Sequence, residues 1–323
     1  MKNLALLVLA VFLLGACKDQ AKQEDNTATS EISEDTIPEK SYSLSLAQWS
    51  LNKHIFAGEA DPTDFAKTAS EMGFEGLEYV SQLYVNENVN YPMKGVELQV
   101  LLDTLKVRSE RHGMQNLLIM IDGEGDLSFN DEAITNQAVE NHKKWIDAAA
   151  FLGCHSIRVN LFGEENADDW VKNSVRSLKA LCEYAAPKNV NIIVENHGGL
   201  SSNAELLVRV MEGVDMENVG TLPDFGNFCL KREGGARWGA PCVEEYDKYK
   251  GTEMLMPYAK GVSAKSYEFD ANGDETKIDF YKMMDIVKAS DFEGFIGIEF
   301  EGEATPAEGI AATKALVLKA LNQ

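Results

Sequence analysis

The sequence predicts an α/β protein in which eight parallel strands close into a (β/α)8 barrel. Three observations predict it. Short runs rich in β-branched and aromatic residues recur along residues 42–323 with amphipathic stretches between them. Strict alternation of the two element types implies parallel strands covered by helices. Eight such units in about 280 residues suit a closed barrel better than an open doubly wound sheet, and no GxGxxG follows the first strand to support dinucleotide binding.

The strands are read, in order, as SLSLAQWS (43–50), GLEYV (76–80), NLLIMID (116–122), SIRVNLF (156–162), NIIVE (191–195), VGTLPD (219–224), KGVSAKS (260–266) and GFIGIEF (294–300). Between them, residues 61–74 open on Asp61-Pro62 and carry apolar residues at helical spacing. Residues 130–153 begin with acids and stop at Gly153, and residues 168–186 and 306–322 repeat the same three-to-four-residue rhythm.

Ahead of the barrel, a single Lys precedes an apolar run from Leu4 to Leu14 that is too short to span a bilayer and reads as a secretory signal. Its LGAC ending resembles the lipobox of bacterial lipoproteins. That resemblance makes 1–17 a lipoprotein signal peptide with Cys17 lipidated and the protein anchored at the cell envelope, on the periplasmic side or the cell surface, with no other membrane contact. Residues 18–41 hold almost no large apolar residue, so they read as a disordered acidic tether.

A formal net charge of −22 repels phosphate backbones and argues against a nucleic-acid partner. The cysteines form no CxxC pair, which excludes zinc-finger and thioredoxin-type sites on spacing. Cys154 and Cys182 lie in apolar contexts and read as core thiols. Cys229 and Cys242 flank the glycine-rich KREGGARWGAP, and in an exported protein they are either a disulfide or two free thiols.

In such barrels the reactive groups stand at the C-terminal ends of the strands. Reading those ends gives Trp49 to His54, Glu78, Asp122, Arg158 with Asn160, Glu195 with His197, Asp224 with Asn227, Ser263 with Lys265, and Glu299 with Glu301. Residues two apart on a strand share a face, so carboxylates from the fifth, sixth and eighth strands can converge. Converging carboxylates repel unless a cation or shared protons stabilise them, and a divalent metal (magnesium, manganese or zinc) is the economical explanation.

The segments IIVENHGG, GTLPDFGNF and GFIGIEFEG, with QWSL in the first strand and GFEGLEYV in the second, resemble the xylose isomerase-like TIM barrels of the sugar isomerase/epimerase superfamily. The likeness covers the whole domain. It implies a divalent metal held by Glu, Asp, His and Glu from strands five to eight, here Glu195, Asp224 and Glu299, with the His expected near position 263. Ser263 stands there instead, and Lys265 follows on the same face. His197 could then complete the site, a water could fill it, or metal binding is weak and Lys265 supplies the positive charge.

The resemblance also implies that Glu195 and Glu299 act as an acid/base pair beside a sugar carbonyl; the strand-end reading adds Lys265 as a further catalytic candidate and His197, Arg158, Asn160, Asn227 and Glu78 as substrate contacts. Each has a structural alternative. Asp224 in PDFGN can simply form a turn; Lys265 can pair with Glu268 or another strand-end acid; Arg158 and Asn160 can bridge strands. DANGDE (270–275) reads as a turn rather than a calcium loop, because its Gly falls too early. NHGGLSS is either a phosphate cradle or a turn in which Ser201 and Ser202 cap the next helix.

The function so implied is a carbohydrate isomerase or epimerase acting on a small sugar or keto-sugar. Two readings stand beside it: a lyase that performs β-elimination on a 3-keto-glycoside, and a non-catalytic sugar-binding lipoprotein that has lost the metal. An endonuclease reading is disfavoured by the acidic charge and by the five histidines.

Overall fold

The computed structural model describes residues 41–323. The signal peptide, Cys17 and all but the last residue of the tether lie outside them.

Eight strands form the barrel: β1 (Tyr42–Ala47), β2 (Gly76–Val80), β3 (Gln115–Met120), β4 (Ser156–Val159), β5 (Asn191–Glu195), β6 (Val219–Leu222), β9 (Val262–Ser266) and β10 (Gly294–Phe300). A hairpin of β7 (Cys229–Arg232) and β8 (Cys242–Glu245) interrupts them. The sheet runs β6-β5-β4-β3-β2-β1-β10-β9 with every neighbour parallel. Parallel bridges Thr221↔Ala259 and Asp224↔Ser263 join β6 to β9 and close the ring. There the Ser263 amide donates to Pro223 O (2.9 Å) and the Phe225 amide to Ser263 O (3.1 Å).

All eight expected barrel strands are present, and four end early, the third strand at Met120. The first stops at Ala47 because Gln48 turns inward: its amide donates to Pro62 O and Tyr84 Oη while its carbonyl accepts from Val80 N. The fourth and sixth stop at Val159 and Leu222, leaving Asn160 and Asp224 on the loops above. The middle of β5 is apolar on both faces, with Ile192, Ile193 and Val194 fully covered, while β1, β2, β4, β9 and β10 bury polar side chains such as Ser45, Glu78, Arg158, Lys265 and Glu299. Each such apolar side chain contributes about 1.5–3 kcal/mol.

The helices start where side chains can satisfy their free amides. Asp131 caps Glu132–Leu152, Asn166 caps Ala167–Ala185, and Thr305 with Glu308 forms a capping box on Pro306–Leu321. Gly153, at φ 82°, ends the first of these in the left-handed conformation that glycine adopts without strain. Residues 61–74 hold a one-turn 3-10 helix, Pro62–Asp64, followed by a shorter α-helix, Phe65–Glu71. No described helix is long and apolar enough to cross a membrane.

Nothing in the strand pattern anticipates the hairpin. A disulfide joins Cys229 to Cys242, with Cα atoms 5.8 Å apart, and so decides between the alternatives for that pair. Cys154 and Cys182 are free and buried.

Candidate active site

A cavity of about 1370 Å³ opens at the C-terminal ends of the strands and is lined in part by Arg158, Asn160, His197, Asn227, Lys265, Glu299 and Glu301. At and just beneath its floor, one carboxylate oxygen from each of Glu195, Asp224 and Glu299 lies within 4.8 Å of the others; all three residues are buried, and Glu299 lines the cavity. Two groups from β9 stand among them. Lys265 Nζ is 3.2 Å from Glu299 Oε1, 3.1 Å from Glu301 Oε2 and 3.9 Å from Asp224 Oδ2. Ser263 Oγ is 2.7 Å from Asp224 Oδ2 and 3.0 Å from Glu299 Oε2.

A hydroxyl has one proton to donate. Both Ser263 contacts are hydrogen bonds only when one of the two carboxyls is itself protonated, and the electrostatics point the same way. Burial pushes Glu299 up to about 8; Lys265 opposes this, while Asp224, Glu195 and Glu301 add to it. Burial likewise pushes Asp224 up to about 6 against the pull of Lys265. Burial works against the charge on Lys265, but Glu299, Glu301 and Asp224 outweigh it and hold its pKa above the usual range. Glu301 is also desolvated, yet Lys265 and a hydrogen bond from Trp49 Nε1 bring it below the ordinary value.

Opposite this cluster the polar groups form a chain anchored on Asp122. Arg158 Nη1 reaches Asp122 Oδ1 at 3.1 Å, and Asn160 Nδ2 donates to the same oxygen at 2.7 Å. The Asn160 carbonyl therefore faces His197 Nδ1, 2.7 Å away. That acceptor places the imidazole proton on Nδ1 and leaves the lone pair on Nε2. Burial, reinforced by Arg158 and Lys265, lowers His197 to about 3, so the ring is neutral. Asp122, although buried, is held below its ordinary value mainly by Arg158.

Glu195 joins the two halves. Its Oε1 accepts from Asn227 Nδ2 at 2.8 Å, and its Oε2 lies 2.9 Å from Arg158 Nε. The latter pair is close but misaligned: both atoms are buried without a hydrogen-bond partner among the described residues. Glu195 thus keeps acceptor capacity directed at the cluster, which fits a cation bound between Glu195, Asp224 and Glu299. The described residues that lie close enough together to hold one are these three carboxylates and do not include His197.

Several expectations change here. Glu78 is placed inside the barrel rather than on the cavity wall. Ser45 Oγ donates to its Oε1 at 2.6 Å, and a Cβ at Gly297 would come within 2.4 Å of that oxygen, so the glycine makes room for the carboxyl. Burial pushes Glu78 up to about 7, against the hydrogen bond from Ser45. Lys265 pairs with Glu299 and Glu301, while Glu268 pairs with Lys277.

Asp224 forms the turn weighed for it and still keeps one oxygen in the cluster. Its Oδ1 accepts from the amides of Gly226 and Asn227 and shapes the turn, leaving Oδ2 for Ser263. In ENHGG, Asn196 is structural, since its side chain bonds Asp224 N, Asp224 O and Asn227 O. Asn203, not Ser201 or Ser202, caps the next helix. Those serines accept from His197 N and Gly198 N, which occupies the amides a phosphate cradle would need. Asp270 bonds the amides of Asn272 and Asp274, a turn as expected.

Glu301, Asp122 and Trp49 are visible at strand ends but carry no role that the sequence assigns, because nothing local tells which acid a buried cation will choose. Trp238 and Arg237 escape a reading by strand ends altogether. The disulfide brings them to the cavity, and the one signal is the glycine-rich stretch between two cysteines.

Fold and site together define a (β/α)8 protein with a buried acidic triad compatible with a divalent metal. Residues 66–321 match the family model described as xylose isomerase-like TIM barrel, and the chain belongs to that family. No curated protein matches it. Among solved structures it is similar to a sugar phosphate isomerase/epimerase from Parabacteroides distasonis (16% identity, TM-score 0.63, covering 91% of this chain and 99% of that one). It is also similar to an IOLI protein with a bound zinc atom (15%, 0.63, 87% and 98%) and to a 3-keto-D-glucoside 4-epimerase from E. coli (15%, 0.59, 87% and 99%). At these identities the likeness establishes the fold alone.

Proposed function

We propose that the protein is an extracytoplasmic sugar isomerase or epimerase, tethered through a lipidated Cys17, that moves a proton on the carbon beside a carbonyl. The observation that carries this reading is the pair Glu195 and Glu299. They are two buried carboxyls within one cluster, and Glu299 is set up to hold its proton near neutral pH. One group can then take a proton from a sugar carbon while the other gives one back.

Glu195 is the base. Asn227 holds its Oε1, while its buried Oε2 accepts no hydrogen bond from the described residues and keeps its lone pairs. Glu299 is the acid, kept protonated by burial and placed by Ser263 and Lys265. Lys265 offers an ammonium where negative charge builds on a carbonyl oxygen. His197, neutral with Nε2 as acceptor, suits a sugar hydroxyl. A divalent metal held by Glu195, Asp224 and Glu299 would supply Lewis-acid polarisation of the carbonyl and its neighbouring hydroxyl. Ser263, in place of an imidazole, leaves that site with oxygen donors, which suit magnesium or manganese better than zinc.

The test is proton exchange in D₂O with a panel of ketoses, aldoses and 3-keto-glycosides, followed by NMR with and without chelator. Exchange without bond cleavage, absent in Glu195→Gln, is the expected result. Cleavage of a keto-glycoside would replace the reading with elimination, and sugar binding without any exchange would leave a binding protein.

A further inference from the structure

The cavity reaches well beyond the acidic cluster, and its outer wall is the disulfide hairpin, which the proton-transfer reading does not use. The cystine ties residues 13 apart and holds the loop between them at the mouth. There the Trp238 ring lies 4.7 Å from the His197 ring and 5.6 Å from Phe162, centroid to centroid, and rests in van der Waals range of where Gly198 would carry a Cβ. It still has 47% of its surface exposed. Beside it the Arg237 guanidinium sits 4.4 Å over the Phe162 ring and makes a two-pronged pair with Asp126, at 3.2 and 2.8 Å.

A lone exposed aromatic on a loop usually means nothing. This one differs in three ways: a covalent clamp holds its loop, two rings brace it from behind, and it lines a cavity with the acids at the other end. The cavity, at about 1370 Å³, also exceeds the roughly 300–1,000 Å³ that holds a drug-sized ligand. A braced indole next to a guanidinium–carboxylate pair is what the ring of a sugar needs: its C–H face packs on the aromatic, and its hydroxyls reach the charged pair.

We infer that Trp238, Phe162, Arg237 and Asp126 form an outer subsite for a second pyranose ring, so that the substrate is a disaccharide or other glycoside rather than a free monosaccharide. This rests on the proposed function, with the first ring at the acidic cluster and His197 at the junction between the two.

The test is calorimetric titration of the purified protein with glucose, methyl β-glucoside, maltose and cellobiose. At least one disaccharide is expected to bind about tenfold tighter than glucose, the size of one aromatic contact. Trp238→Ala should erase that margin while leaving glucose within twofold, and Trp238→Phe should restore part of it. Cys229→Ser/Cys242→Ser, which frees the loop, should also reduce it. Equal affinity for glucose and both disaccharides, or a Trp238→Ala loss shared equally by glucose, would overturn the inference. If the margin is present and depends on Trp238 but no sugar exchanges its α-proton, the outer subsite stands and the isomerase reading fails. If exchange depends on Glu195 but no margin appears, the reverse holds; failure of every sugar to bind overturns both.

Discussion

The two halves of the cavity floor are built on opposite rules. On the side of β3 and β4, donors that do not titrate meet one ionised acid: Arg158 and Asn160 share Asp122 Oδ1, and His197 pairs with the Asn160 carbonyl. On the side of β6, β9 and β10, three carboxylates share one ammonium and one hydroxyl. The first arrangement fixes orientation, because Asp122 is held ionised and its guanidinium and amide donors keep their protons. The second leaves protons mobile, because Asp224 and Glu299 compete for the same partners at pH values near neutrality. In the proposed function one half would hold a substrate and the other would exchange protons with it.

The largest effect should come from removing a proton carrier from the mobile half. Glu299→Gln and Glu195→Gln should each lower α-proton exchange by about 10²–10⁴-fold, as for loss of a general acid or base, with little change in sugar affinity. NMR exchange rates check both. Lys265→Met comes next. It leaves buried carboxylates without their internal cation and should cost about 3–5 kcal/mol, the range for breaking a buried ion pair. Thermal melts measure the loss. Added magnesium or manganese should recover part of it if the triad binds metal, and no recovery would mean that Lys265 is the only cation the cluster accepts.

The pH dependence probes the same contrast. A carboxyl whose folded pKa lies above its unfolded value contributes stability that is fully present at low pH and is lost as pH rises through the folded value. Glu299, at about 8, and Asp224, at about 6, should therefore lower the melting temperature progressively between about pH 4 and 8. Exchange should fall above about pH 8, where Glu299 gives up its proton. A divalent metal should flatten the melting curve. The smallest effect belongs to the fixed half: Asn160→Ala frees the tautomer of His197 and should weaken sugar binding by about five- to tenfold, the worth of one hydrogen bond of roughly 1 kcal/mol. An equal loss of exchange rate at saturation would mean that this half takes part in the chemistry.

Much of the barrel and its floor is legible in the residues alone. Eight strands, their order and the convergence of Glu195, Asp224 and Glu299 follow from apolar runs with acids at their ends, since period and position are local properties. The place of Ser263 among those acids can be read from its position in the seventh strand. What it does there cannot, because a hydroxyl that bridges two carboxyls is defined by their separation. Glu78 shows the opposite error: a strand-end acid reads as a substrate contact, but facing inward at Gly297 puts it inside the barrel.

The sequence by itself determined the barrel, the acidic identity of its floor and the family to which the chain belongs, because these depend on residue type and spacing. Only the tertiary structure decided which acids Lys265 serves, that His197 binds Asn160 rather than the triad, and that a cystine carries Trp238 to the rim. Those outcomes are set by distances of a few ångströms between residues far apart in the chain, and electrostatic pairing at such distances has no one-dimensional signature.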